Sequence, residues 1–291
     1  MCWLFGYSRQ AYYKHYKEVD KDSKANTLVL DLVTDTRLTH PRIGVRKMYY
    51  MLQKQMEAHQ VKLGRDAMFD LLREEGLLIR KRRRKAITTW SGHPYRKYPN
   101  LIKSFVPSAP NKLWVSDITY LRTQKGFAYL SLITDAYSSK IVGYDIATNL
   151  EAVNSLNALK MALMNNANNL NGLIHHSDRG LQYCSHEYVR LLQQHNIRIS
   201  MTESGDPLEN PKAERINGIL KQEYMYKHTI RDINHARKLL YATVEIYNTQ
   251  RPHLSCDMLT PEQIHNQSQT PKRLWKTYYR KKATIVNPVQ D

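Results

Sequence analysis

Three carboxylates are the residues of this sequence whose types and spacing most clearly indicate chemistry. Asp117 lies in the segment WVSDITY, Asp178 in HHSDRG and Glu214 in NPKAER, and the 35 residues numbered 179–213 separate the last two acids. Acids from three separate segments can converge on one site, and ionised carboxylate oxygens are the ligands that Mg²⁺ and Mn²⁺ prefer. Because the formal net charge is +18, we expect a polyanionic substrate. The sequence therefore predicts metal-assisted phosphodiester chemistry on nucleic acid.

The positive charge of the chain is clustered. The sequence has 44 Lys and Arg against 26 Asp and Glu, an excess that favours contact with a phosphate backbone. One cluster is an unbroken run of six cations, and a second is near the C-terminus; their members are Arg80, Lys81, Arg82, Arg83, Arg84 and Lys85, and then Lys272, Arg273, Lys276, Arg280, Lys281 and Lys282. This clustering disfavours the alternative of an evenly solvated positive surface. We expect double-stranded DNA as the partner, with the run 80–85 as a phosphate-contacting arm.

Cysteine usage and hydropathy limit the compartment. The three cysteines, Cys2, Cys184 and Cys256, are scattered and odd in number, which favours a reducing compartment over a disulfide framework. No segment reaches the roughly 18 apolar residues of a membrane span, and the first residues lack a signal-peptide pattern. We expect a cytoplasmic, nucleoid-associated protein with no membrane partner.

The elements that position the acids form a mixed α/β pattern. Three strands in succession are followed by alternating helix and strand. The predicted strands are 113–122, 127–135, 141–147, 173–176 and 197–201, and the predicted helices are 151–164 and 185–194. Periodicity places Val153, Leu156, Leu159 and Leu163 on the inward face of the first of these helices.

Each acid has a defined place in these elements. Asp117 falls in mid-strand, where a buried charge needs a partner such as a cation, unless the strand is an exposed edge. Asp178 follows a strand at its carboxyl end, a usual place for ligands, although it could instead cap a turn with Gly180. Glu214 lies on a helix that Asn210 can cap and Pro211 can begin.

The same helix carries two further polar residues on the side of Glu214. At about 100° per residue, Lys221 returns to within about 20° of Glu214, and Asn217 lies on that side too. Ile216 and Leu220 point elsewhere and can face the core. We expect Asn217 to contact DNA. Lys221 either lies on this stripe beside the acid or is a solvated lysine paired with an acid.

The N-terminal third is predicted to be small and helical. Residues 1–25 resemble a helix-turn-helix fragment, with a turn at Gly6 and Ser8 as the cap of a helix carrying Tyr12 and Tyr13. Residues 26–85 have the pattern of three short helices, and Gly76 can end the third. The three helices have apolar faces made of Leu28, Leu32 and Val33, then of Val45, Met48, Tyr49 and Leu52, and then of Met68, Leu71 and Leu72. This region is either a DNA-binding module or a helical packing subdomain. Residues 86–108 have the Pro-, Ser- and Gly-containing composition of a linker.

The acids and their contexts resemble the DDE triad of retroviral integrases and insertion-sequence transposases. Four blocks, from Trp114 to His253, are similar to the OrfB-type catalytic subunit of the family named after insertion sequence three: WVSDITYL, HHSDRGLQY, GDPLENPKAERINGILKQE and YNTQRPH. One departure is Leu208-Glu209-Asn210, where the family usually has an aromatic or small residue followed by Asp-Asn. Glu209 keeps an acid there, which leaves a second carboxylate near the site.

The resemblance implies the fold and the activity. The fold would be a ribonuclease-H-like catalytic core over residues 109–226, with a mixed five-stranded sheet and flanking helices. A small all-α, helix-turn-helix-like region would precede this core, and a helical and basic tail over residues 227–291 would follow it. Water would free a 3′-OH at the end of the element, and that 3′-OH would attack a second phosphodiester, with no covalent enzyme intermediate.

The resemblance also implies ligands and partners. Asp117 would bridge two Mg²⁺ or Mn²⁺ ions, with Asp178 on one and Glu214 on the other, and Lys221 would contact the DNA end. The partners would be the element ends and target DNA, a helix-turn-helix module from an upstream frame as separate protein or fusion, and further copies of the chain on DNA.

Other residues and functions remain as alternatives. His175 and His176 lie near Cys184 and His186 but lack zinc-ligand spacing, so we expect His176 to orient the catalytic loop or meet substrate. The Arg251-Pro252-His253 block, after a helix with Ile233, Ala236, Leu240, Val244 and Tyr247 on one face, is structural or phosphate-contacting. A basic tail with Trp275, Tyr278 and Tyr279 either stacks on DNA or packs on the domain. A non-catalytic DNA-binding regulator and a nuclease for RNA–DNA hybrids are the competing functions.

Overall fold

A five-stranded mixed sheet forms the centre of the molecule. The computed structural model describes residues 8–79, 94–166, 170–203 and 209–267. The strands lie in the order β3-β2-β1-β4-β5, with bounds Leu113–Thr123 (β1), Gly126–Asp135 (β2), Ile141–Ala147 (β3), Ile174–Ser177 (β4) and Arg198–Met201 (β5). The first three strands pair antiparallel, whereas β4 pairs parallel to β1 and β5 parallel to β4. This is the ribonuclease-H-like arrangement, and the predicted fold class is confirmed.

Helices cover both faces of the sheet. One face packs on helices α4 (Ala152–Asn165), α5 (Leu181–Cys184) and α6 (His186–Gln194), around Trp114, Leu159 and Leu192. The other face packs on α7 (Pro211–Ile219) and α8 (Ile233–Thr249), around Leu121, Ile216 and Leu240. Because side chains alternate along a strand, odd-numbered residues of β1 such as Val115 lie on the α7 side.

Helix α4 crosses β3 at close range. A Cβ added to Gly143 would lie 2.1 Å from the carbonyl oxygen of Ala158, so only glycine permits this approach. Leu156, Leu159 and Leu163 are buried as predicted. The prediction for Val153 is wrong: its side chain, in the first turn of the helix, is 44% exposed.

The N-terminal region is a three-helix unit with its own core. Its helices are α1 (Arg9–Thr39), α2 (Val45–Ala58) and α3 (Arg65–Glu74), and its core is Val29, Val33, Ile43, Val45, Met48, Leu52, Met56, Met68, Leu71 and Leu72. Ser8 caps α1 as predicted, since its Oγ accepts from the Ala11 N–H at 3.1 Å. Gly6 lies outside the described residues. Helix α1 is continuous through residues 25 and 26, so the predicted boundary at these residues falls within one helix.

Gly76 ends α3 as predicted. It adopts a left-handed conformation with φ of +65°. Its N–H donates to the Arg73 carbonyl at 3.1 Å, and the Leu77 N–H donates to the Leu72 carbonyl at 2.8 Å. These two bonds satisfy carbonyls at the end of the helix.

The described part of the predicted linker packs on the sheet. Residues 94–108 contain no helix or strand, yet Tyr95 and Tyr98 pack against the core. The Leu101 N–H donates to Ser200 Oγ at 2.9 Å, and the Pro99 carbonyl accepts from the Met201 N–H at 3.3 Å. This stretch therefore covers β5. The cationic run 80–85, the C-terminal cations and Trp275, Tyr278 and Tyr279 lie outside the described residues.

The chain after α7 continues through a short irregular helix. A π-helical turn spans Leu220–Tyr224 and a 3₁₀ turn spans Met225–Lys227. Helix α8 buries Ala236, Leu240, Val244 and Tyr247 as predicted, and Thr260 caps α9 (Pro261–Asn266) in a capping box with Gln263. Within the described ranges, no helix combines the length and apolar character needed to cross a bilayer.

Candidate active site

Asp117 lies on β1, and Asp178 directly follows β4, the parallel neighbour of β1. Val115 of β1 pairs with His176 of β4. Each acid lies two residues further along the chain, Asp117 within β1 and Asp178 one residue past the end of β4. Side chains two residues apart along an extended chain point to the same side of the sheet, so both carboxylates lie on the α7 face. Since β1 is the central strand, the alternative of an exposed edge-strand Asp117 is excluded.

The turn after β4 holds one oxygen of Asp178. Its Oδ1 accepts from the Gly180 N–H at 2.9 Å, so the turn-capping role considered for Asp178 is present. A Cβ on Gly180 would lie 2.9 Å from this oxygen, which makes glycine the residue that tolerates the turn. Because this hydrogen bond involves only one oxygen, it orients the Asp178 carboxylate and still allows it to act in the site.

Helix α7 brings Glu214 to the two aspartates. Pro211 begins the helix as predicted, but Asn210 makes no side-chain cap hydrogen bond. Its Nδ2 donates to the Ser116 carbonyl at 2.8 Å, while its Oδ1, the atom that would cap the helix, is buried without a hydrogen-bond partner among the described residues. This bond ties the start of α7 to the residue before Asp117, and Glu214 lies exposed one turn later.

The three acids interact electrostatically. The pKa of Asp117 is raised to about 7, first by burial and then by the charges of Asp178 and Glu214, against the lowering effect of the Asn217 hydrogen bond. Carboxylates that raise one another's pKa are stabilised in their charged form by a nearby cation. The donor set consists of oxygen atoms alone, which fits Mg²⁺ or Mn²⁺. Within the described part of the chain, no group of three His, Cys, Asp or Glu side chains is arranged to hold a metal ion.

Asn217 contacts an acid of the site. Its Nδ2 donates to Asp117 Oδ2 at 2.7 Å, and its side chain is 4% exposed. Its Oδ1 is buried without a hydrogen-bond partner among the described residues. The amide therefore positions the Asp117 carboxylate, and its contact with DNA stays a prediction.

Lys221 reaches the site from the π-helical turn. Its Nζ donates to Thr119 Oγ1 at 2.9 Å and lies 4.6 Å from the centre of the Tyr120 ring. Burial lowers the pKa of Lys221, and the negative charge of Asp117 opposes this. The 100° extrapolation from Glu214 fails after Ile219, where the α-helix ends, but the ammonium group still lies beside the acids. Thr119, two residues after Asp117 on the same strand face, was not predicted, although the period of two would have found it.

The two neighbouring histidines support the site from within the sheet. His176 shares hydrogen bonds with Ser200 Oγ at 2.8 Å and the Glu209 carbonyl at 3.2 Å, and burial lowers its pKa to about 4. It therefore orients the segment before α7, one of the two roles expected for it. On the other face, His175 Nε2 lies 2.7 Å from Ser116 Oγ and 2.9 Å from the Tyr188 hydroxyl.

Arg251 has a structural role, one of the two roles predicted for its block. Its side chain is 1% exposed, and its Nε and Nη2 donate to the two carboxylate oxygens of Glu223, each at 2.8 Å. A further bond joins Nη1 to His253 Nε2 at 2.8 Å. The sequence analysis did not single out Glu223; the signal was available, because a buried arginine needs an acid.

Two family models match the chain. A model described as "Integrase core domain" matches residues 107–207. A second model of the same description matches residues 195–261. Together they span the sheet, α7 and α8.

Similar proteins come from insertion elements of bacteria. An insertion element IS600 uncharacterized 31 kDa protein of Shigella sonnei is 34% identical over 265 residues, covering 90% of this chain and 96% of that protein. The transposase InsF for insertion sequence IS3A of Escherichia coli (strain K12) is 35% identical over 200 residues, covering 68% of this chain and 69% of that protein.

Solved structures of viral integrases overlap with the chain at low identity. One is a simian T-cell lymphotropic virus intasome in complex with PP2A regulatory subunit B56 gamma, with a TM-score of 0.49 and 16% identity, covering 81% of this chain and 79% of that chain. Another is the HTLV-2 integrase catalytic core domain in complex with magnesium, with a TM-score of 0.43 and 19% identity, covering 54% of this chain and 98% of that chain.

Proposed function

The chain belongs to the family of insertion-sequence transposases that includes the IS3 transposase InsF, and from this membership we propose how it performs DNA transposition. It is a polynucleotidyl transferase that cleaves at the ends of an insertion element and joins the freed 3′-OH to target DNA. Asp117, Asp178 and Glu214 form its catalytic triad.

The electrostatic proximity of the three acids carries this proposal. They come from β1, β4 and α7 and are close enough for Asp178 and Glu214 to raise the pKa of Asp117. Both helix α7 and the β4 turn are fixed by hydrogen bonds from Asn210 and Gly180. Mutual repulsion among fixed carboxylates is the arrangement that a divalent cation relieves.

The metal would be Mg²⁺ or Mn²⁺, held as two ions by Asp117, Asp178 and Glu214. When bound, the ions activate the attacking oxygen and stabilise the leaving one. Asn217 holds the Asp117 carboxylate in place through its 2.7 Å bond. Lys221, beside Thr119, supplies a positive charge for the phosphate of the DNA end.

The wider partners follow the same reasoning. Transposases of this family act on DNA. We propose contacts of Lys221 and the run 80–85 with phosphates, oligomers of the chain on DNA, and an upstream-frame helix-turn-helix module as partner or fusion. The division into a helical region, a linker, a catalytic core over 109–226 and a C-terminal region over 227–291 is part of this proposal. A cytoplasmic, nucleoid-associated location remains a prediction.

Charge-neutral variants of the triad test the catalytic assignment. Asp117→Asn, Asp178→Asn and Glu214→Gln should each abolish strand cleavage and joining, because each removes a ligand charge. Duplex binding should persist, since Lys and Arg make the phosphate contacts. Cleavage and filter-binding assays on the same preparations measure both. A variant with near wild-type cleavage removes its residue from the triad. Loss of duplex binding in all three would mean that the acids act in binding or folding, and would contradict a purely catalytic role.

A further inference from the structure

One end of the sheet presents aromatic side chains on the face that lies opposite α7. Tyr120 of β1 pairs with Tyr129 of β2, and Arg122 pairs with Phe127. Residues directly opposed on antiparallel strands point to the same face, and the even-numbered residues of β1 lie on the α4 side. The rings of Tyr120 and Phe127 meet edge to face, with their centroids 5.5 Å apart. We call Tyr120, Arg122, Phe127 and Tyr129 the aromatic platform.

Helix α4 begins beside this platform and does not cover it. The first turn of the helix contacts the sheet at Ser131, whose Oγ lies 3.2 Å from Ser155 Oγ. From there the helix runs on to cross Gly143 of β3, further from the turn that joins β1 to β2. Phe127 is therefore 53% exposed, and the two tyrosines of the platform are partly exposed. Among the described residues, the platform is thus an aromatic sheet face that is open to solvent.

The platform carries positive charge. Arg122 is exposed on it, and Lys221 Nζ lies 4.6 Å from the centre of the Tyr120 ring. Asp145 of β3 is an acid on the same face, but both of its carboxylate oxygens already accept hydrogen bonds. Exposed rings beside cations are the combination that binds single-stranded nucleic acid, because the rings stack on bases and the cations neutralise phosphates.

The platform adjoins the catalytic acids. Tyr120 lies three residues after Asp117 on β1, about 10 Å along the strand. Strand β4 ends at Ser177, so the part of β1 beyond Asp117 has no described strand beside it on that edge. Lys221 crosses this edge, because it donates to Thr119 on the catalytic face and contacts Tyr120 on the other. A DNA strand that leaves the acids can therefore pass over this edge to the platform.

We propose that the aromatic platform binds unpaired bases of the DNA end by stacking, with Phe127 as the exposed ring on which a base lies. Every base has a π face, so this binding is independent of sequence. Arg122 and Lys221 can neutralise the phosphates beside the stacked base. Strands that have been cut at the element ends present such unpaired bases close to the acids. This inference rests on the proposed function, because it assumes a DNA substrate that is cut at the acids.

Binding to a duplex with a short single-stranded overhang tests the platform. We would measure the affinity of the full chain for this duplex and for a blunt duplex of the same sequence, in EDTA, which prevents cleavage. Wild type should prefer the overhang duplex, and Phe127→Ala should bind it about fivefold or more weakly, the effect of one lost stacked base. Phe127→Ala should bind the blunt duplex as wild type does, since phosphate contacts remain. Equal affinity of wild type for the two duplexes would overturn the proposal.

Matched variants separate stacking from other contacts. Phe127→Trp keeps an aromatic face and should retain the overhang preference, whereas Phe127→Leu keeps an apolar side chain without a ring and should lose it. A fluorescent base analogue in the overhang should be quenched by wild type and by Phe127→Trp alone of these. Tyr241→Ala removes another ring, 68% exposed on α8, and should leave both affinities unchanged. Full preference in Phe127→Leu, or an equal loss in Tyr241→Ala, would contradict base stacking at this site.

The outcomes also distinguish other occupants of the platform. If Phe127→Ala lowers Tm while the overhang preference stays, the ring packs against this chain's own residues, and the proposal fails. If Phe127→Ala changes the oligomeric state in light scattering while the preference stays, the face joins two copies of the chain, and the proposal fails. A preference that is lost in Phe127→Ala, beside a wild type that does not cleave, would support the platform and refute the activity. An unchanged preference beside active cleavage would refute the platform alone.

Discussion

At the residue scale, two acids in one short stretch have different surroundings. Glu209 lies before α7: its carbonyl accepts from His176, and its carboxylate accepts from the Glu203 N–H. Glu214 lies one turn into α7 and affects the pKa of Asp117. The sequence predicted this distinction, because Asn210 and Pro211 mark the helix start. It could not predict the bonds of Glu209, which depend on residues brought together by the sheet.

We predict that Glu214→Gln eliminates cleavage whereas Glu209→Gln lowers it only modestly. Glutamine at 209 keeps an acceptor oxygen for the Glu203 N–H, so the loss should be about 1 kcal/mol, or roughly fivefold in rate. A metal ligand must be held rigidly in productive geometry, which α7 provides for Glu214. Both purified variants should be compared in one cleavage assay. A dead Glu209 variant beside an active Glu214 variant would mean that the third ligand is Glu209.

At the scale of elements, regular periodicity was sufficient for most of the core and failed where the chain departs from it. The strands and α8 agree with prediction because alternation and the 3.6-residue repeat are local properties. The π-helical turn at Leu220–Tyr224 has no such signal. It is stabilised by tertiary contacts: Glu223 pairs with Arg251, and Tyr224 contacts His40. Likewise, the composition of residues 94–108 predicts a linker, but packing on β5 is a long-range property.

The Glu223–Arg251 pair should therefore be a main support of this turn. Glu223→Gln leaves a buried guanidinium without its charge partner and should cost about 3–5 kcal/mol in the free energy of unfolding. Denaturant unfolding measures the change. As control, Glu262→Gln removes an acid from a more exposed pair with Lys140 and should cost no more than about 1 kcal/mol. Equal costs for the two variants would contradict a buried, stabilising pair.

The same pair has a defined pH dependence. Burial raises the pKa of Glu223, but the hydrogen bonds and charge of Arg251 outweigh it, so the pKa is lowered overall. Its stabilising effect is thus complete above the unfolded-state pKa of about 4.3 and is lost as pH falls through the lower folded-state pKa. The stability difference between wild type and Glu223→Gln should shrink over that acid range and stay constant from there to neutral pH.

At the scale of the whole molecule, two opposite sets of charge have separate tasks. The net charge of +18 favours binding of a polyanion, whereas three acids on the α7 face of the sheet repel one another and any phosphate. Binding of DNA to the wider surface and neutralisation of the acids are therefore independent requirements. Composition predicted the first, and the motif contexts predicted the second. Neither composition nor motif contexts predicted how the helical region and the core are placed relative to each other, through Lys47 and Glu223.

This separation predicts how metal removal acts on the two activities. Protein stripped with EDTA should still bind duplex DNA in a salt-dependent manner, because counterion release requires only Lys and Arg. It should not cleave, because uncompensated carboxylates at Asp117, Asp178 and Glu214 repel the scissile phosphate. Adding Mg²⁺ or Mn²⁺ should restore cleavage, since oxygen ligands favour these ions, and Zn²⁺ should not. The Asp117→Asn variant provides the control, because metal should not rescue it. Full cleavage without added metal, or recovery with Zn²⁺ alone, would contradict the assignment of the three acids as ligands of a hard divalent cation.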